Sequence, residues 1–175
     1  SPSYAEDQTV FYGYTSVYRS EDGGETSSDL PQPVFNYIAS RAFAISPDFK
    51  NDRRMYLGAS PGSYRSNDAG DHWIPMTAGL PGTVRSTGME LSPTFLDDGI
   101  IFHISHEHGI HRSNDHGLTW TSLGLDIGEI RALALSPEFP SDRTVFVGVN
   151  WLGLYRCRDG GDTWELISDF LGDGP

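Results

Sequence analysis

Short apolar runs, rich in β-branched and aromatic residues, alternate with glycine-containing turns along this sequence. The clearest set comes last, where four runs predict four strands at residues 129–135, 143–149, 154–157 and 163–167. These runs are apolar on both faces, which is expected when each sheet is covered by a neighbour on either side. The pattern therefore predicts an all-β chain of stacked antiparallel sheets.

Two short motifs recur in phase along the chain. The first follows Ser-x-Asp-x-Gly-x-Thr-Trp, and its aspartates lie 46, 47 and 44 residues apart, at Asp22, Asp68, Asp115 and Asp159. The second, Ser-Pro-x-aromatic, begins at Ser1, Ser46, Ser92 and Ser136. A period of this size, filled with short strands, is the mark of β-propeller blades. We therefore predict a single segment over residues 1–175, made of four-stranded antiparallel blades, with repeats at approximately 1–45, 46–91, 92–135 and 136–175.

The repeated aspartates have a local structural explanation. An Asp side chain can accept N–H groups of its own turn, and a glycine two residues later adopts conformations that other residues disfavour. The tryptophan that ends the motif can anchor the hairpin at the rim of the sheet. We predict this structural role, rather than a catalytic one, for Asp22, Gly24, Asp68, Gly70, Trp73, Asp115, Gly117, Trp120, Asp159, Gly161 and Trp164. Two copies depart from the motif, with Ser27 in place of tryptophan and Cys157 in place of serine.

The aspartate motif resembles the Asp-box, or BNR repeat, of sialidases, sortilin-type receptors, tandem-repeat xyloglucanases and photosystem II assembly factors. The resemblance covers the whole chain and implies a β-propeller fold. It decides little about function, because these proteins range from hydrolases to receptors. It favours an extracellular or periplasmic setting, which includes association with the cell surface.

The predicted strands do not complete a ring. Four sets of three outer strands are predicted, with only three innermost strands between them. Three alternatives follow: a part of a longer propeller, one half of an eight-bladed ring, or a closed ring of four blades. An open array would expose a strand edge and an apolar face, so we expect a protein partner or self-association that completes the ring.

Charge and hydropathy exclude some partners. The net charge is −12, with Lys50 the only lysine among twelve basic residues, so we expect no nucleic-acid partner. No apolar run approaches the roughly 20 residues of a membrane span, so none is expected. The acidic loops lack the ligand spacing of known calcium sites, and we expect no bound cofactor.

Histidines distinguish the third repeat. His106, His108 and His111 are candidate ligands of a transition metal, because neutral imidazole suits zinc, copper and nickel. The alternative is polar packing, because His103 and His111 stand where other repeats carry tyrosine, leucine or valine. The sequence leaves both interpretations open.

Three residues outside the repeated motifs carry the functional hypotheses. Trp151 lies in a hairpin turn and is a candidate contact for a glycan or a protein surface, with local packing as the alternative. Glu90 and Asp98 are candidate paired carboxylates of a glycoside hydrolase. We predict a non-catalytic binding or scaffolding module that presents loops to a protein or glycan partner. A fragment of a sialidase-like or xyloglucanase-like hydrolase is the alternative.

Overall fold

The chain is seen in a computed structural model that describes residues 1–13, 16–31, 42–60, 62–81 and 85–168. The first two groups of strands are β1 (Val10–Gly13), β2 (Val17–Ser20), β3 (Ser28–Asp29), then β4 (Ala42–Ile45), β5 (Met55–Ala59), β6 (Gly62–Ser66) and β7 (Ile74–Pro75). The last two groups are β8 (Ser86–Leu91), β9 (Ile101–Ser105), β10 (Gly109–Ser113), β11 (Thr121–Ser122), then β12 (Ile130–Leu135), β13 (Val145–Val149), β14 (Gly153–Cys157) and β15 (Glu165–Ser168). One helical turn belongs to each group. It precedes β1 in the first group and lies between the first two strands in the others: α1 (Tyr4–Asp7), α2 (Phe49–Asp52), α3 (Phe95–Asp98) and α4 (Phe139–Asp142).

Each group of strands forms its own antiparallel sheet. In the described part of the chain, three sheets have four strands and the first has three, β1 to β3. The strands follow sequence order across every sheet, as in the blades of a propeller. The prediction of an all-β fold with antiparallel blades is therefore confirmed. The sequence also predicts innermost strands at roughly residues 38–45 and 84–91. Their first residues, 38–41 and 84, and the tail at 169–175 lie outside the described residues.

The sheets stack side by side around their innermost strands, with β4 beside β8 and β8 beside β12. Every residue of β5 and of β9 is buried, because these strands lie between two neighbouring sheets. In β13 buried positions alternate with partly exposed ones. The middle blades are thus covered on both faces, while the described residues leave one face of the fourth blade partly exposed. Among the described helices, none is long and apolar enough to cross a membrane.

The core consists of clusters between neighbouring blades rather than one central core. Between the third and fourth blades, Phe102, Ile110, Phe139 and Val147 are fully buried. Between the second and third blades, Tyr56 and Phe95 take the corresponding places. The tryptophans of the repeated motif belong to these clusters, with Trp120 only 5% exposed. Stability therefore depends on how the blades pack on each other.

Candidate functional site

Each repeated aspartate is bound within its own turn. In the third repeat, Asp115 accepts hydrogen bonds from Ser113 Oγ at 2.7 Å, from the backbone N–H of Thr119 at 2.9 Å and from Thr119 Oγ1 at 2.6 Å. Equivalent bonds surround the other three aspartates, at Asp22, Asp68 and Asp159. We call these segments, residues 20–27, 66–73, 113–120 and 157–164, the aspartate turns. Since the carboxylate oxygens are engaged locally, the aspartate turns lock hairpins.

Hydrogen bonding also fixes the charge of these aspartates. The side chain and the backbone N–H of Thr26 hold the pKa of the Asp22 carboxyl well below its usual range. In the fourth repeat the Cys157 thiol takes the place of the serine hydroxyl, donating to Asp159 Oδ1 at 2.7 Å and accepting from the N–H of Gly161. The departure from serine to Cys157 therefore keeps the turn's hydrogen bonds. An ionised, fully bonded carboxylate is a poor proton donor.

Asp98, a predicted hydrolase carboxylate, has a structural role of a similar kind. Its Oδ2 accepts from Ser92 Oγ at 2.6 Å and from Thr94 Oγ1 at 2.8 Å, and its Oδ1 accepts from the N–H of Ile100 at 2.8 Å. The same serine-to-aspartate bond occurs in the other repeats, at Ser1–Asp7, Ser46–Asp52 and Ser136–Asp142. The assumption that Asp98 stands outside the repeats was therefore wrong. It locks the loop that begins at the Ser-Pro motif.

Glu90, the other predicted carboxylate, lies on β8 in a groove between the second and third blades. Phe43, Ala44 and Met89 contribute to the groove walls. Desolvation by these walls raises the pKa of the Glu90 carboxyl, although its side chain remains exposed to solvent. With Asp98 engaged in its own loop, the two residues do not supply a pair of free carboxylates.

The histidines divide between the interior and the surface. His103 is fully buried, its Nε2 lies 2.8 Å from Ser63 Oγ on the second blade, and its ring meets Trp120 edge-on at 5.6 Å. His111 is only 2% exposed and lies beside His103. Burial lowers the pKa of His103 to about 3 and lowers that of His111 as well, so both are neutral at pH 7. These two side chains pack between blades.

The predicted metal site is not formed by the structure. Whereas His111 is buried between blades, His106 lies in the turn after β9, where its imidazole is near Glu107 and Glu129. Across the described residues, no three histidine, cysteine, aspartate or glutamate side chains are grouped closely enough to hold a metal ion. His106, His108 and His111 therefore do not assemble into a ligand set.

Trp151 is the most exposed large apolar side chain in the described part of the chain. It is 80% exposed, at the tip of the turn between β13 and β14. Its backbone adopts the left-handed conformation, with φ +62°, and Leu152 beside it is 36% exposed. The N–H of Asn150 donates to the carbonyl of Glu129 at 2.8 Å, which ties the turn to the strand beneath.

A charged network centred on Glu129 borders this turn. Arg131 Nη2 lies 2.7 Å from Glu129 Oε2, and His106 Nε2 lies 3.3 Å from Glu129 Oε1. The Asn150 side-chain amide donates to the same carboxylate at 3.4 Å. We call the surface formed by His106, Glu129, Arg131, Asn150, Trp151 and Leu152 the Trp151 surface. It joins loops of the third and fourth blades at the end of the sheets opposite the aspartate turns.

The sequence singled out Trp151 and His106 as separate features, one as a candidate binding contact and the other as a candidate metal ligand, without indicating that they lie close together. Glu129 and His106 are 23 positions apart in sequence and belong to different blades. Nothing in the repeat pattern marks Arg131 or Asn150, because both stand where the repeats vary. Only the stacking of the blades brings these side chains to one place.

Comparison with known proteins adds to this picture. No protein-family model and no curated protein matches the sequence. Among solved structures, an ancestral GH74 enzyme superposes with a TM-score of 0.70 at 18% identity, covering 93% of this chain and 23% of the enzyme. YCF48 bound to D1 peptide gives a TM-score of 0.60 at 20% identity, covering 91% of this chain and 49% of YCF48.

A third similar structure is the extracellular domain of the putative one component system BT4673 from B. thetaiotaomicron. It has a TM-score of 0.72 at 10% identity, and the match covers 95% of this chain and 22% of that one. The chain thus spans about a quarter of the GH74 enzyme and about half of YCF48. At these identities the likeness concerns fold, and the chain consists of four blades of a β-propeller.

Proposed function

We propose that this protein is a non-catalytic binding module whose Trp151 surface docks on a protein partner. The observation that carries the proposal is the exposure of Trp151, 80% accessible on a turn that is fixed by backbone hydrogen bonds. Burying a tryptophan side chain releases a large apolar area from water, so an exposed one is a strong candidate for a binding contact.

The turn holds Trp151 ready for binding. The N–H of Leu152 donates to the carbonyl of Val149 at 3.2 Å, and Gly153, at φ +119°, returns the chain to β14. Since the backbone is already ordered, binding costs less conformational entropy than it would on a loose loop. The propeller scaffold therefore presents the indole in a fixed position.

The surroundings of Trp151 match the anatomy of a protein interface. Leu152 extends the apolar centre, while Glu129, Arg131 and His106 form a polar rim. Interfaces between proteins commonly have such an apolar centre and a polar rim that restricts partner choice. Because Trp151 protrudes rather than lining a cleft, we favour a partner with a complementary pocket over a glycan. YCF48, a propeller of similar fold, was solved with a bound peptide.

We place the module outside the cytoplasm. The support is the similarity to an extracellular domain of B. thetaiotaomicron, together with the acidic composition of the chain. This location would expose the Trp151 surface to secreted or cell-surface proteins.

A photo-crosslinking experiment tests the binding proposal. A photoreactive amino acid at position 151 should capture a partner from the native extract, and the same amino acid at position 118 should not. Leu118 is a matched control, since it is 53% exposed and lies on an aspartate turn at the opposite end of the sheets. The captured partner is then titrated against purified wild type, Trp151→Ala and Leu118→Ala.

We expect Trp151→Ala to weaken binding by roughly 2 kcal/mol or more, about 30-fold, while Leu118→Ala has little effect. Equal affinity of the wild type and Trp151→Ala for every captured protein would refute the proposal. A glycan array run in parallel separates the two partner classes. Glycan binding that disappears in Trp151→Ala would replace the protein partner by a carbohydrate.

A glycoside hydrolase is the second candidate, favoured by Glu90 and its raised pKa in the groove beside β4. A protonated carboxyl is what the acid step of such a reaction needs. Because Asp98 is engaged in its own loop, we expect no turnover of a panel of aryl glycosides by this chain. Turnover that is lost in Glu90→Gln but kept in Asp97→Asn would establish the hydrolase instead.

A further inference from the structure

All three interfaces between neighbouring blades repeat one aromatic contact. An aromatic ring on β1, β5 or β9 meets, nearly at right angles, the ring that begins the helical turn of the next blade. The centroid distances are 5.4, 5.9 and 5.6 Å for Phe11–Phe49, Tyr56–Phe95 and Phe102–Phe139. Edge-to-face pairs of this kind stabilise packing beyond the area they bury.

Two of these interfaces also share an arginine contact. Arg19 of the first blade donates to the carbonyl of Ala69 at 3.4 Å and lies 3.3 Å from Asp71, both in the second aspartate turn. Arg112 of the third blade donates to the carbonyl of Gly160 and lies 3.8 Å from Asp162 in the fourth. Each arginine thus connects its blade to the aspartate turn of the next blade.

The fourth blade carries the aromatic ring and the arginine of this arrangement, and in the described part of the chain no further blade packs against them. Phe146 and Arg156 face each other across β13 and β14, as Phe102 and Arg112 do in the third blade. Arg156 Nε instead lies 2.7 Å from Glu165 of its own sheet. Leu154 on the same face is 37% exposed.

The first blade carries the other two groups of the arrangement, the ring of the helical turn and the acidic residue of the aspartate turn. Tyr4 stands where Phe49, Phe95 and Phe139 stand in the other repeats, yet it is 48% exposed while those three are fully buried. Its hydroxyl lies beside Gly23, in the first aspartate turn. Glu25, which is exposed, occupies the position of Asp71 and Asp162.

We propose that a second copy of this chain docks head to tail, so that the fourth blade of one copy packs on the first blade of the other. Phe146 then meets Tyr4, while Arg156 leaves Glu165 and reaches the turn that contains Glu25. The argument is complementarity, because one end of the chain presents an aromatic ring and an arginine and the other presents their partners. Two such contacts close an eight-bladed ring with two-fold symmetry. This surface is separate from the Trp151 surface and does not depend on the proposed function.

Light scattering and sedimentation of the purified chain test the proposal. We expect a particle of twice the 19.3 kDa chain mass. Arg156→Glu and Glu25→Arg should each weaken self-association at least about tenfold, because each variant places like charges at both contacts. An equimolar mixture of the two variants should restore the dimer, because every contact then pairs one arginine with one glutamate.

Further variants guard against indirect effects. Arg85→Glu makes the same charge change on the loop surface of the third blade and should leave the dimer intact. Phe146→Ala should weaken the dimer without unfolding the chain, since its ring faces the open side of the fourth blade. A monomer at every concentration, a dimer unchanged by both charge variants, or a mixture that fails to associate would overturn the proposal. A ladder of higher oligomers would overturn the closed ring.

Discussion

Replacement of Phe139 by alanine should lower the free energy of unfolding by about 3–5 kcal/mol, the cost typical of a large ring removed from a packed core. The ring is fully buried between the third and fourth blades, where it meets Phe102 edge-on. The guanidinium of Arg143 lies over the same ring, 5.6 Å from its centroid. Alanine would leave a cavity and remove both contacts at once. Urea denaturation with linear extrapolation measures the effect.

Tyr4→Ala is the matched control for Phe139→Ala. Tyr4 holds the same position in the first repeat but is 48% exposed, so its loss should cost less than about 1 kcal/mol. Both variants should be compared at a protein concentration at which the chain is monomeric. Similar losses for the two variants would contradict the view that stability comes from contacts between blades.

Much of the fold could be predicted from the sequence because the same pattern of strands and turns occurs in four successive repeats. The predicted strand at residues 143–149 corresponds to β13 (Val145–Val149), and the one at 154–157 to β14 (Gly153–Cys157). The turn between β14 and β15 was placed by its aspartate and glycines, whose local hydrogen bonding is independent of the rest of the chain. Sequence patterns therefore predicted the strands and turns whose structure depends on interactions between residues close in sequence.

The loops after the Ser-Pro motifs show where such rules failed. They contain a helical turn, and Asp98 bonds back to Ser92 six residues earlier. A four-residue helix has no amphipathic period to detect, so Asp98 was mistaken for a free carboxylate. Its equivalents six residues after each Ser-Pro serine, Asp7, Asp52 and Asp142, were the signal that could have shown its structural role.

Contacts between blades were also beyond the sequence pattern. Because the strands are apolar on both faces, alternation does not reveal which side chains face the next blade. The pairing of His103 with Ser63 and that of His106 with Glu129 both join different blades. The exposed Trp151 could be singled out from the sequence, but the polar rim around it forms only when the third and fourth blades stack.

The buried imidazole of His103 should make the protein lose stability on mild acidification. In the unfolded chain this side chain has its usual pKa of 6.5, whereas burial lowers its pKa to about 3 in the folded protein. Between these two values the unfolded state binds a proton that the folded state does not. Stability therefore falls as the pH drops through 6.5 and continues to fall until about 3.

The size of this stability loss depends on how far the pH falls within the range between the two pKa values of His103. Each pH unit within this range lowers the free energy of unfolding by about 1.4 kcal/mol. Acidification from about pH 7 to pH 5 should therefore lower it by about 2 kcal/mol through protonation of His103 in the unfolded state. Most aspartates and glutamates stay ionised over this range, which separates the histidine effect from carboxylate protonation at lower pH. The neighbouring His111, whose pKa is also lowered by burial, adds to the same trend.

His103→Leu tests the assignment, because Leu57 fills the corresponding slot of the second blade and is fully buried. We expect this variant to lose about 2 kcal/mol less than the wild type between about pH 7 and pH 5, measured by urea denaturation at both values. His72→Gln, which removes a histidine that is largely exposed, should behave like the wild type. If His103→Leu lost as much stability as the wild type over this pH range, the buried imidazole of His103 would not be the cause of the acid sensitivity.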